Sequence, residues 1–141
     1  MQPRAFDPEP IIQTVLSVYP ETQAIYLFGS YATGDQHAQS DLDLALLLPP
    51  ESAHRAGSLY GSDLHHQLEA LVGTMIDCVN LRLASTVFQH EITSTGCRIF
   101  CNNLSACIDY EALVLSLYQK LNEERAEIIA EIYASGRVYA P

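Results

Sequence analysis

The 141-residue sequence predicts an α/β or α+β fold in which a small mixed β-sheet is flanked by helices. Three observations lead there. The short apolar runs AIYLF at 24–28, DLDLALLL at 41–48 and MIDCVNLRL at 75–83 have the length of buried strands. Segments of helical spacing alternate with those runs. The composition, 48% hydrophobic and 17% charged, suits one globular domain over residues 1–141.

Each element has its own local reason. Over 9–19, Ile11, Ile12, Val15, Leu16 and Tyr19 share one helical face, and Pro20 ends the helix. Gly29 stops the first strand, and 29–40 (GSYATGDQHAQS) is a small, polar turn. The strand over 41–48 is central and ends at Pro49-Pro50. A helix is expected over 51–72, weakened by Gly57 and Gly61, with Gly73 past its end. The third strand, 75–83, is followed by a helix over 84–95 that ends at Gly96. Residues 97–101 form a short edge strand, NNLS at 102–105 a turn, and 106–135 one long helix. That helix carries Tyr110, Val114, Leu117, Leu121, Ile128 and Ile132 as an apolar stripe. The core is expected over about 9–101 and the C-terminal helix over about 104–135.

Seven Lys and Arg stand against 17 Asp and Glu, a formal net charge of −10. Such a surface repels phosphate backbones, which argues against direct nucleic-acid binding. No apolar stretch is long enough to span a bilayer, and the N-terminus lacks the pattern of a signal peptide. Cys78, Cys97, Cys101 and Cys107 form no CxxC pair, so they read as reduced, mostly buried thiols of a cytoplasmic protein.

The chemistry concentrates in Gly29-Ser30, followed ten residues later by Asp41-Leu42-Asp43. Side chains alternate along a strand, so Asp41 and Asp43 share one face while Leu42, Leu44, Leu46 and Leu48 build core on the other. Two carboxylates side by side repel each other unless protons or cations lie between them. Hard divalent cations suit such oxygen ligands, and Mg²⁺ typically takes one or two carboxylates plus substrate phosphates. Asp77 is a lone acid in the row Met75, Asp77, Val79, Leu81 of the third strand. If the two strands are neighbours, three carboxylates converge as ligands for two metal ions. Gly29 and Ser30 supply close backbone approach and a hydroxyl for phosphate oxygens, although the sequence has no Walker loop and no GxGxxG.

This pattern, with GSYATGDQHAQSDLDLALLL, Asp77 in MIDCVNL, HEITSTGCRIF and the long last helix, resembles the nucleotidyltransferase superfamily that includes DNA polymerase beta. It is similar in particular to the minimal nucleotidyltransferase (MNT) antitoxins of HEPN/MNT toxin–antitoxin modules. The resemblance implies a polymerase beta-like fold, with Gly29 and Ser30 on the nucleotide phosphates and Asp41, Asp43 and Asp77 as catalytic metal ligands. It also implies two Mg²⁺ ions, ATP as co-substrate, and transfer of AMP to a tyrosine hydroxyl of a cognate HEPN ribonuclease toxin. The alternatives are an antitoxin that acts by occlusion alone and an enzyme that modifies a small molecule such as an aminoglycoside.

Other residues carry weaker signals. Arg82, at the end of the third strand, is a candidate contact for nucleotide or pyrophosphate, with an ion pair as the plain reading. Ser40 reads as a turn cap within reach of a phosphate, and His37 as an exposed loop residue. Arg55 and Arg98 are fainter candidates. His65-His66 has no i+4 partner for zinc, and His90-Glu91 is expected to pack beneath the third strand. The acids Glu123, Glu124, Glu127 and Glu131 on the last helix suit contact with a basic partner.

Overall fold

The computed structural model describes residues 7–29 and 42–135. Helix α1 (Glu9–Val18) leads into strand β1 (Ala24–Phe28), and strand β2 (Leu42–Leu47) is followed by helices α2 (Pro50–Ala56) and α3 (Asp63–Val72). Strand β3 (Ile76–Asn80), a 3₁₀ turn (Leu81–Leu83), helix α4 (Thr86–Thr95), strand β4 (Cys97–Cys101) and helix α5 (Leu104–Ser135) complete the order. The strands form one mixed sheet in the order β3-β2-β1-β4. β1 runs antiparallel to β2 and β4, and β2 runs parallel to β3. The two helices between β2 and β3 make the crossover that a parallel pair needs.

Strand alternation divides the core into two layers. Ile25, Leu27, Leu42, Leu44, Leu46, Ile76 and Cys78 face α1, α2 and α3. Tyr26, Phe28, Ala45 and Leu47 face Ile92 of α4 and Cys107, Tyr110 and Val114 of α5. A partly buried polar triad also holds α5 to the sheet: Glu111 accepts from the Tyr26 hydroxyl and, at 2.8 Å, from Arg98.

Two expectations need correction, the helix over 51–72 and the extent of the third strand. The helix expected over 51–72 is two helices, because Gly57 and Gly61 both take positive φ and the chain turns between them. Asn80 secures that break by donating to the carbonyls of Ala53 (3.0 Å) and Gly57 (2.9 Å). The third strand ends at Asn80 rather than 83, since residues 81–83 wind into the 3₁₀ turn. The stripe on α5 is core only at its start. Tyr110 and Val114 are buried, whereas Leu117 and Ile128 are about half exposed. At 32 residues the helix is about 48 Å long, well beyond the sheet it covers.

Candidate active site

The topology gathers Gly29, Asp43 and Asp77 at one end of the sheet. In the register, Asp43 pairs with Phe28 at the end of β1 on one side and with Asp77 of β3 on the other. Paired residues on adjacent strands lie about 5 Å apart and point to the same face. Asp43 and Asp77 are therefore neighbours on the face that carries α4 and α5. Asp43 is half-buried and Asp77 exposed. Nothing apolar separates them, and their like charges call for a cation.

Gly29 completes the corner. It has φ +72°, a conformation glycine reaches without strain, and it lies directly beneath the Asp43 carboxylate. A Cβ at this position would come within 2.1 Å of Asp43 Oδ2. The residue is thus required twice, by its backbone angle and by the space the acid occupies. Ser30, His37, Ser40 and Asp41 lie outside the described residues.

Arg82 is not brought to the acids. Its Nε donates to the carbonyl of Leu48 and its Nη2 to Gln23 Oε1 at 2.7 Å, and the guanidinium lies 5.2 Å from the centre of the Tyr110 ring. Gln23 and Leu48 flank the paired residues Ala24 and Leu47, at the opposite end of β1 and β2 from Phe28 and Asp43. Burial lowers the pKa of Arg82, partly offset by Tyr110, but the group stays cationic and ties the 3₁₀ turn to the sheet. Arg98 is taken up by Glu111.

His65 and His90 make structural contacts. His65 is buried, accepts from Gly61 N–H through Nδ1 (2.8 Å), and donates from Nε2 to the Ile76 carbonyl (2.7 Å). Glu69, on the same helix, accepts from Ile76 N–H at 3.0 Å. His90 stacks on Tyr118 of α5 with 3.7 Å between ring centres, rather than packing beneath the third strand. Cys78 and Cys107 are buried, Cys101 half-buried and Cys97 exposed, and all four are free thiols. Among the described residues no group of three His, Cys, Asp or Glu is placed to hold a metal, so Asp43 and Asp77 are the described donors of this site. Also among them, no helix is long and apolar enough to cross a membrane.

One feature of the site has no simple sequence signal. A cleft of about 390 Å³ lies along β3 with Asp77 at its edge, between the loop carrying Leu59 and Tyr60 and a wall of Leu83 and Phe88. Phe88 packs edge-on against Phe28, with ring centres 5.6 Å apart. The glycines of the 57–61 break were the only sequence hint of a loop here.

Comparison with known proteins identifies the family and the fold. Residues 11–105 match the family described as polymerase beta, nucleotidyltransferase. The chain is 32% identical over 125 residues to the protein adenylyltransferase MntA of Shewanella oneidensis, covering 89% of this chain and 86% of that protein. Among solved structures it is similar to a chain of a toxin–antitoxin complex with AMP-PNP (TM-score 0.73, 30% identity, 91% of this chain and 99% of that one). It is also similar to a chain of a tri-AMPylated Shewanella oneidensis HEPN toxin in complex with MNT antitoxin (TM-score 0.63, 27% identity, 89% and 94%).

Proposed function

The chain belongs to the polymerase beta nucleotidyltransferase family, and on that premise we propose that it is an antitoxin that transfers AMP from ATP to a tyrosine of a cognate HEPN ribonuclease toxin. The observation that carries this reading is the meeting of Gly29, Asp43 and Asp77 at one end of the sheet. In the reaction the tyrosine oxygen bonds to the α-phosphorus of ATP, the bond from that phosphorus to the bridging oxygen breaks, and pyrophosphate leaves.

The residues divide the work. Gly29, having no side chain, lets the backbone approach the phosphates, and Ser30 and Ser40 add hydroxyl contacts. Asp43 and Asp77, with Asp41, hold Mg²⁺, two ions being the expected complement. The oxygen donor set fits a hard cation, which supplies charge neutralisation for the triphosphate. Asp77, the exposed acid, is the group placed to take the phenolic proton. Arg82 has no role in this scheme, because its donors are engaged at the other end of the sheet. Rate enhancement then comes from positioning and charge compensation.

The net charge of −10 agrees with a protein partner rather than a nucleic acid. A cytoplasmic location, where thiols stay reduced and ATP is available, suits this activity. The test is incubation with α-labelled ATP, Mg²⁺ and the partner HEPN toxin. Label is expected on a toxin tyrosine, and Asp43→Asn is expected to abolish it. Neutralisation of the toxin by Asp43→Asn at equal stoichiometry would instead favour inhibition by occlusion.

A further inference from the structure

The cleft runs along β3 from Asp77, two strands across the sheet from Gly29, with its Phe88 wall reaching back to Phe28. β3 is an edge strand, so among the described residues its outer side is not covered by another strand. Gly29 extends from β1 and sits against Asp43, whereas the cleft begins at Asp77 and follows β3 away from that corner. α3 closes the strand end before Asp77, where His65 and Glu69 occupy the backbone groups of Ile76. Asp43 and Asp77 thus have Gly29 on one side and the cleft lining on the other.

The lining selects the ligand. Tyr60 is 81% exposed, Leu83 51% and Phe88 36%, half-buried Val79 adds apolar surface, and Leu59 backs the lining from the core. Among the described residues, Asp77 is the charged residue of the lining and no lysine or arginine contributes. Phosphates are disfavoured in such a cleft, whereas an aromatic ring is favoured by aromatic walls. In-line displacement at phosphorus requires the entering and leaving oxygens on opposite sides. With pyrophosphate leaving on the Gly29 side, the entering hydroxyl comes from the Asp77 side.

We propose that this cleft is the acceptor subsite. It takes the ring of the tyrosine to be adenylylated, between Tyr60 and Phe88, and presents the hydroxyl at Asp77. The assignment rests on the nucleotidyl transfer proposed above and names where its acceptor binds.

The test compares Tyr60→Ala, Leu83→Ser and Tyr60→Phe with the unmodified chain, using labelled ATP and the partner HEPN toxin. Tyr60 and Leu83 are exposed enough for these substitutions to leave the fold intact, which thermal unfolding checks. Expected is a fall of tenfold or more in kcat/KM for the toxin in Tyr60→Ala and Leu83→Ser, with recovery in Tyr60→Phe. ATP affinity, measured without toxin, is expected to be unchanged in all three. Weakened ATP binding with unaltered use of toxin would assign the cleft to the nucleotide base and overturn the proposal, as would variants that change neither. Absence of label on the toxin with the unmodified chain would be a failure of the transfer reading itself, and it is distinguishable because it precedes any variant.

Discussion

Replacing Gly29 by alanine imposes two separable costs. The first is conformational: at φ +72° an L-residue is strained by about 1–2 kcal/mol. The second is a collision. The new Cβ would stand 2.1 Å from Asp43 Oδ2, where carbon and oxygen ordinarily stay about 3.3 Å apart or more. The Asp43 carboxylate must therefore move by about 1 Å or more, and a displacement of that size in a catalytic group can cost about 10²-fold in rate. Gly73→Ala separates the two effects, since Gly73 has φ +79° but nothing within 4 Å of its Cβ position. Both variants are expected to lose about 1–2 kcal/mol, which lowers the melting temperature by about 3–8 °C in a domain of this size. Gly29→Ala alone is expected to lose AMP transfer as well, by about 10²-fold. The assay pairs thermal unfolding with initial rates of labelled AMP transfer at saturating ATP. Equal turnover in the two variants would refute the argument that Gly29 is needed by the space of Asp43.

Three further outcomes are expected. Asp77→Asn removes a like charge in register with Asp43, so the melting temperature should hold or rise while transfer falls by about 10²-fold or more; a melting temperature that falls would give Asp77 a structural role. Arg82→Met strips donors from Leu48 and Gln23 and should cost about 1–3 kcal/mol in denaturant unfolding with ATP affinity intact; lost ATP affinity at unchanged stability would return Arg82 to the nucleotide site. Burial pushes the Cys78 and Cys107 thiols from an ordinary value of 9.0 up to about 12, with Asp77 and Cys101 respectively adding to the rise. The folded chain then keeps protons that the unfolded chain has lost, so stability should be level below about pH 9 and decline as pH rises toward 12. Cys78→Ala should flatten that decline once its cavity cost is subtracted, and an unchanged slope in both Cys78→Ala and Cys107→Ala would contradict it.

Much of this architecture was legible residue by residue. The alternation in LDLALL places Leu42, Leu44 and Leu46 on one face and Asp43 on the other, and the structure keeps that division. Ser62 and Ser85 cap α3 and α4 by accepting from His65 and Phe88 N–H, starts that lie inside the segments expected as helix over 51–72 and 84–95. The stretch over 51–72 was harder, because helical spacing continues across Gly57 and Gly61. The break there depends on Asn80, more than twenty residues away, which satisfies the carbonyls of Ala53 and Gly57. Arg82 misled for the same reason. A lone arginine after a catalytic strand carries no sign of which carbonyl will receive it.

Sequence by itself determined which residues alternate, which segments are helical, and that three acids sit on strand-like segments, because those properties depend on neighbours a few positions away. Tertiary structure decided that β2 and β3 lie side by side in the register that sets Asp43 against Asp77. It also turned Arg82 toward the far end of the sheet and opened a cleft beside Asp77. Those outcomes follow from pairings between distant segments, chosen by how two core layers pack at once, and local periodicity does not encode that choice.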